Sequence, residues 1–238
     1  MSLTELLLRP LSSSSGRPLV THYDDALGSR IELSVATLAN WAAKTANWLV
    51  EEFDVEQGDD VAVELPAHWQ TAGVLLGIWW CGGHVVTEAK GAKVAFAGPD
   101  SGASEAAGTA VVALDPLGRG LGPKVPEGTQ DYLSESRLCG DDFAPMLPID
   151  GDTPALLGAT VDEVLALARS RAAEHGIGPG DRVLSTLDWA LDPALPDGVV
   201  TGLLAPFAAG AHLVQVTGSV PDKLPAHRAA ERTTVDLG

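Results

Sequence analysis

Gly58-Asp59-Asp60-Val61-Ala62-Val63-Glu64-Leu65 and Gly180-Asp181-Arg182-Val183-Leu184-Ser185-Thr186-Leu187 are two versions of one phrase. Each begins with a Gly-Asp turn and runs into a short apolar strand. Gly permits a positive φ after a helix, and Asp can accept a bond from the next backbone N–H entering the strand. The surroundings repeat as well. Gly82-Gly83-His84-Val85-Val86 follows the first phrase as Gly210-Ala211-His212-Leu213-Val214 follows the second.

Working outward from the first phrase, Ser34 is placed to cap a helix whose apolar face is Val35, Leu38, Ala39, Ala42, Ala46, Leu49 and Val50, flanked by Trp41 and Trp48. Pro66 ends the strand. A second, more apolar helix spans 67–81, Gly82-Gly83 stops it, and 84–87 is the next strand. Around the second phrase, Thr160 and Glu163 form a capping box ahead of the face Val161, Val164, Leu165, Ala168 and Ala172. Gly176 closes that helix. A later helix covers 198–209, with a kink expected at Pro206, and 211–216 is the closing strand.

Outside the repeats, 12–16 reads as a loop, and 19–23 and 30–33 read as two strands joined by a hairpin connection. Segments 93–97 and 109–114 read as further strands, with a short helix expected in 100–108. The Pro- and Gly-rich stretch 115–152 is expected to be a mostly irregular connector with one short helix at 131–135. The expected fold is α/β: two similar helix/strand subdomains with mostly parallel sheets. Residues 1–150 form the first subdomain with its connector, and 151–238 the second, repeating the unit.

Composition narrows the function. Among 238 residues, 32 Asp and Glu face 15 Lys and Arg, a formal net charge of −17. Such a surface repels phosphate backbones and anionic lipid, so neither nucleic acid nor a membrane surface is expected as a partner. It also disfavours ATP anywhere but in a dedicated phosphate cradle. Two cysteines, Cys81 and Cys139, make no disulfide framework and fit a reducing, cytoplasmic compartment. The N-terminus lacks the basic region of a signal peptide, and the longest apolar run, 73–86, is too short to span a bilayer.

No complete catalytic motif is found. His84 and His212 hold equivalent positions but lack carboxylates at metal-ligand spacing, so each reads as the first residue of a strand beside a helix stop. His22, His68, His175 and His227 are scattered. Gly98-Pro99-Asp100-Ser101-Gly102 has the wrong spacing for a nucleophile elbow and reads as a turn. No metal site and no cofactor are expected. Thr186, Asp188 and Trp189 lie at the carboxyl end of a strand, where open α/β sheets tend to bind ligands. With Asp197 and Gly198 they are the candidate cleft residues. The alternative is a Trp that covers the sheet edge.

The order of strand, Ser-capped helix, Gly-Asp turn, strand, apolar helix, Gly-Gly and strand resembles the N-terminal part of the acyl-adenylate-forming (AMP-binding, acyl-CoA synthetase-like) superfamily. The best matches are 33–86 and 176–214, above all Ile177-Gly178-Pro179-Gly180-Asp181-Arg182-Val183-Leu184. The chain is similar to a short actinobacterial group related to these synthetases. In that superfamily an aromatic residue or His near Trp189 lines the acyl pocket, and a Ser/Thr/Gly-rich loop followed by Pro-Lys holds the ATP phosphates just before the second repeat.

Here the corresponding stretch is Leu147-Pro148-Ile149-Asp150-Gly151-Asp152-Thr153-Pro154-Ala155-Leu156, with no Lys and two carboxylates. The family's adenine- and magnesium-binding motifs and its C-terminal domain with the catalytic Lys have no counterpart in these residues. The resemblance therefore implies a pseudoenzyme: a degenerate, non-catalytic remnant that binds a protein partner or a small acyl-type ligand. The alternative it implies is a synthetase-like enzyme completed by another subunit and using an acyl or nucleotide substrate.

Overall fold

The computed structural model describes residues 1–189, 191 and 197–238, without the side chain of Asp197. The strands are β1 Pro18–Asp24, β2 Ser29–Ser34, β3 Asp60–Glu64, β4 His84–Val86, β5 Val94–Ala97, β6 Gly108–Val111, β7 Gln130–Asp131, β8 Pro154–Leu156, β9 Ala159–Thr160, β10 Arg182–Ser185, β11 His212–Thr217 and β12 Val235–Leu237. The helices are α1 Leu3–Leu8, α2 Val35–Phe53, α3 Trp69–Cys81, α4 Tyr132–Ser136, α5 Val161–Glu174, α6 Asp197–Val199, α7 Ala205–Ala209 and α8 Leu224–Glu231.

The strands form two sheets, β12-β10-β11-β1-β2 and β7-β6-β5-β3-β4-β8-β9. Pairing is parallel except at the hairpins β1–β2 and β8–β9. The repeat is longer than the sequence phrase. In each copy a hairpin leads through a capped helix to the Gly-Asp turn, a strand, an apolar helix and two further strands. Each hairpin then docks on the sheet of the other copy. β1 pairs with β11, and β8 pairs with β4, the counterpart of β11. The strand orders β5-β3-β4-β8-β9 and β12-β10-β11-β1-β2 correspond one to one, with β6 and β7 added to the first. Each sheet thus draws strands from both sides of residue 150.

The two turns share their hydrogen bonds. Gly58 (φ 84°) and Gly180 (φ 88°) are left-handed. The Gly58 N–H donates to Gly82 O (2.9 Å) and the Gly180 N–H to Gly210 O (3.4 Å). His84 and His212 N–H donate to the Asp59 and Asp181 carbonyls, both at 2.8 Å. The Asp side chains act differently from expectation. They accept from the loop behind them, Glu56 N–H (2.9 Å) and Gly178 N–H (2.7 Å), and so fasten the helix exit rather than the strand start.

Both caps form. Thr37 N–H donates to Ser34 Oγ (3.1 Å), and Thr160 and Glu163 complete their box. The face Val161, Val164, Leu165, Ala168 and Ala172 is buried. α2 and α3 meet closely, because a Cβ on Gly77 would fall 2.3 Å from Thr45 Cβ. Trp48 lies in the core against Phe53, Phe96 and Tyr132. One hydrophobic cluster runs through both copies, from Leu38 and Val61 to Val164 and Leu213.

Three expectations are corrected. Residues 12–14 belong to a 3₁₀ turn, Arg9–Ser14. No helix forms in 100–108. The helix expected over 198–209 is α6, a π turn Val200–Leu204, and α7, with Pro206 directly after the π turn. The connector 115–152 carries its expected short helix as α4 and is anchored by buried Tyr132, Leu133 and Ile149; Asp131 Oδ2 accepts from Leu121 N–H (2.8 Å) and Ser134 Oγ (2.5 Å).

The C-terminal helix is tied back by Glu231. Its buried carboxylate takes Arg30 (2.8 Å) and Arg182 (2.7 Å) and accepts from Tyr23 Oη (2.7 Å). Burial pushes this carboxyl up, but the hydrogen bonds and the two guanidinium charges outweigh burial and hold it below its ordinary value.

Candidate functional site

The carboxyl ends of β3 and β10 are equivalent, and the segments that follow them touch. Ala67 N–H donates to Asp188 Oδ1 (3.2 Å), which also accepts from Trp189 N–H (2.8 Å). This is the junction between the two copies, built from strand ends where open sheets tend to bind ligands. Leu187 O accepts from Gln215 Nε2 (2.9 Å) on β11. Trp189 is only 1% exposed, and a Cβ on Gly202 would lie 3.0 Å from its indole Nε1. The indole therefore fills the junction rather than lining an open cleft.

The candidate residues fall into two groups. Asp188 and Trp189 lie at the junction. Thr186 is held by Leu237, whose carbonyl accepts the Thr186 N–H (3.0 Å). Gly198 lines a separate cavity of ≈ 400 Å³ with Leu187, Thr201 and Leu237. Asp197 begins α6, and its side chain lies outside the described residues.

Two histidines that sequence spacing leaves apart meet near the junction. His22, on β1, and His68, the N-cap of α3, stand with ring centroids 4.5 Å apart, edge to face. His22 Nε2 shares a hydrogen bond with Thr217 Oγ1 (2.7 Å), and Gln70 N–H donates to His68 Nδ1 (3.1 Å). Burial lowers His22 to about 4, against the opposing charge of Asp24. Burial, with His22 beside it, lowers His68 to about 3, against Asp115. Both rings are neutral at pH 7. His22 Nδ1, Gln215 Oε1 and Trp189 Nε1 are buried without a partner among the described residues. No spacing rule links His22 to His68; only the docking of the first hairpin on the second sheet brings them together.

The other His pair, His84 and His212, is not isolated. His84 Nδ1 is 2.8 Å from Asp60 Oδ1, its register partner on β3, so a carboxylate does lie beside it, unlike the sequence expectation. His212 Nε2 meets Thr21 Oγ1 (2.9 Å). Among the described residues no group of three His, Cys, Asp or Glu side chains is placed to hold a metal ion. Cys81 is buried, and burial pushes its thiol up to about 12, which makes it a core residue rather than a nucleophile. No described helix is long and apolar enough to cross a membrane.

The stretch ahead of α5 is a closed acidic turn. Thr153 N–H donates to Asp150 O (3.2 Å). The turn's carbonyls take the first helical amides, Val161 N–H to Thr153 O (3.0 Å) and Asp162 N–H to Gly151 O (2.9 Å). Thr160 Oγ1 takes Glu163 N–H (3.4 Å). A Cβ on Gly151 would fall 2.2 Å from Asp162 Oδ2, so the turn lies directly on that carboxylate. The N–H groups that make helix N-termini attractive to anions are occupied here, and Asp150, Asp152, Asp162 and Glu163 surround them.

No protein-family model matches the chain. Among solved structures it is similar to an acyl-CoA synthetase from Brucella canis, with a TM-score of 0.77 and 14% identity over 99% of this chain and 47% of that one. An anthranilate CoA ligase in complex with anthranoyl-AMP gives 0.73 and 15%, over 98% and 49%. Acetoacetyl-CoA synthetase from Streptomyces lividans gives 0.72 and 18%, over 98% and 41%. These likenesses establish the acyl-CoA synthetase-like fold, and the chain spans about half the length of the synthetases. A Mycobacterium tuberculosis protein described as a TIGR03089 family protein is 43% identical over 226 residues, 91% of this chain and 90% of that one. With that identity across nearly the whole of both chains, the protein belongs to the TIGR03089 family.

Proposed function

We propose that this chain is a non-catalytic derivative of an adenylate-forming enzyme, a pseudoenzyme that binds a partner protein or a small acyl-type ligand around the junction of its two copies. The observation that carries the reading is the turn Asp150–Thr153. In the superfamily the chain resembles, this place belongs to the ATP phosphates. Here it has no Lys, its helix amides are occupied, and four carboxylates surround it. A triphosphate brought there meets like charge at short range. The orphaned polar atoms of His22, Gln215 and Trp189 supply donors and acceptors for a ligand or partner group entering the junction.

ATP–pyrophosphate exchange with a panel of carboxylic acids tests this reading. Exchange at the no-enzyme level for every acid is the expected result, and carboxylate-dependent exchange overturns it. The second reading, an acyl- or nucleotide-using enzyme completed by another subunit, draws on the chain spanning about half the synthetase length. It gains if exchange appears only in a purified complex with a second chain.

A further inference from the structure

A second cavity, lined by none of the junction residues, lies where α1 and the 3₁₀ turn behind it cover α5 and α7. Its volume is ≈ 330 Å³, within the range of small-molecule sites. Leu6, Leu11, Leu165 and Phe207 form its apolar wall, and Arg17 and Arg169 complete it. Among the described residues no Asp or Glu lines it. That is unexpected in a chain with 32 acidic and 15 basic side chains, where elsewhere Arg30, Arg119, Arg182 and Arg228 all pair with carboxylates.

Arg17 is half-buried. Its Nη2 donates to the Gly210 carbonyl at the end of α7 (2.9 Å), and its Nε is buried with no acceptor among the described residues. Arg169 stands on the exposed side of α5 and has no ion pair among the described residues. A guanidinium partly withdrawn from water against leucine and phenylalanine is costly unless an anion meets it. Its planar fork suits a carboxylate or a phosphate. Arg17 is such a group, and with the exposed guanidinium of Arg169 beside it the apolar cavity selects a ligand with an anionic head and an apolar body.

We propose that this cavity binds a small amphipathic acid, its head group held by Arg17 and Arg169 and its body packed on Leu6, Leu11, Leu165 and Phe207. The site is independent of the junction and of the closed acidic turn, and it is served by the helices at the amino ends of β1 and β11.

The test titrates the full chain with octanoate and octyl phosphate, with 1-octanol as the uncharged control, by calorimetry and by amide NMR. The expected result is saturable binding of at least one acid, no saturable binding of octanol, and shifted amides at Leu6, Leu11, Arg169 and Gly210. Whichever acid binds more tightly identifies the head group. Arg169→Glu, at an exposed position that leaves the core intact, is expected to weaken binding at least tenfold. Three results overturn the proposal: neither acid saturates, Arg169→Glu binds as well as the unsubstituted chain, or the shifted amides lie around Trp189 instead. Because Arg169 is neither a junction residue nor part of the acidic turn, failure here leaves the exchange experiment unaffected.

Discussion

Trp189, a cleft candidate by its place at a strand end, carries a packing role of its own. With 1% of its surface exposed and Gly202 against the indole, truncation leaves a large cavity at the junction. Trp189→Ala is expected to destabilise the chain by about 3–5 kcal/mol, read from urea denaturation. A loss under about 1 kcal/mol would mean that the indole does not pack as described. His22 and His68 set a second expectation at this scale. Their folded values, about 4 and about 3, lie below the ordinary 6.5, so the unfolded chain takes up protons that the folded chain refuses. Stability is full above about pH 6.5 and is lost as pH falls through the window toward 4. His212, also lowered to about 4, acts in the same direction. The urea midpoint is expected to fall between pH 7 and pH 5, and His68→Gln should flatten that slope. A midpoint that does not move between those pH values would contradict neutral, buried rings.

At the scale of elements, the contact of α2 with α3 is set by small residues. A Cβ on Gly77 would meet Thr45 Cβ at 2.3 Å and the Ala42 carbonyl at 2.9 Å, both on the facing helix rather than on a flexible tip. Gly77→Ala should therefore cost at least about 1–3 kcal/mol by overpacking, measured by thermal or urea unfolding. Gly91→Ala, also glycine to alanine but with open space around its Cβ and a left-handed φ of 90°, separates backbone strain from this clash.

Most elements were legible in the sequence because their signals are local. Ser34, the Thr160–Glu163 box, Gly82 and Gly210 mark helix ends by chemistry acting within a few residues. What could not be read was non-local. Nothing in the spacing of 19–23 tells that β1 leaves its own copy to pair with β11. A π turn at 200–204, directly ahead of Pro206, stands where a proline kink was expected. The candidate site was legible only in part. The strand-end rule led to Asp188 and Trp189, but it missed His22, His68 and Gln215, which arrive on other elements.

Across the whole molecule, exchange of the two hairpins makes each sheet depend on the other copy. Unfolding one copy removes the edge hairpin from the sheet of the other, and the main apolar cluster runs through both. A single transition is expected, with circular dichroism and tryptophan fluorescence midpoints coinciding; two separated transitions would contradict the exchange.

The central claim is that a synthetase-like scaffold has lost its place for ATP phosphates to a closed acidic turn. The most direct measurement is a thermal-unfolding titration of the full chain with Mg²⁺·ATP and with AMP. A ligand at 100 times its Kd would stabilise by about 2.7 kcal/mol, a shift of a few degrees for a chain of this length. The account predicts no shift with either nucleotide at millimolar concentration. A saturable upward shift with Mg²⁺·ATP would contradict it and return the chain to the enzymes.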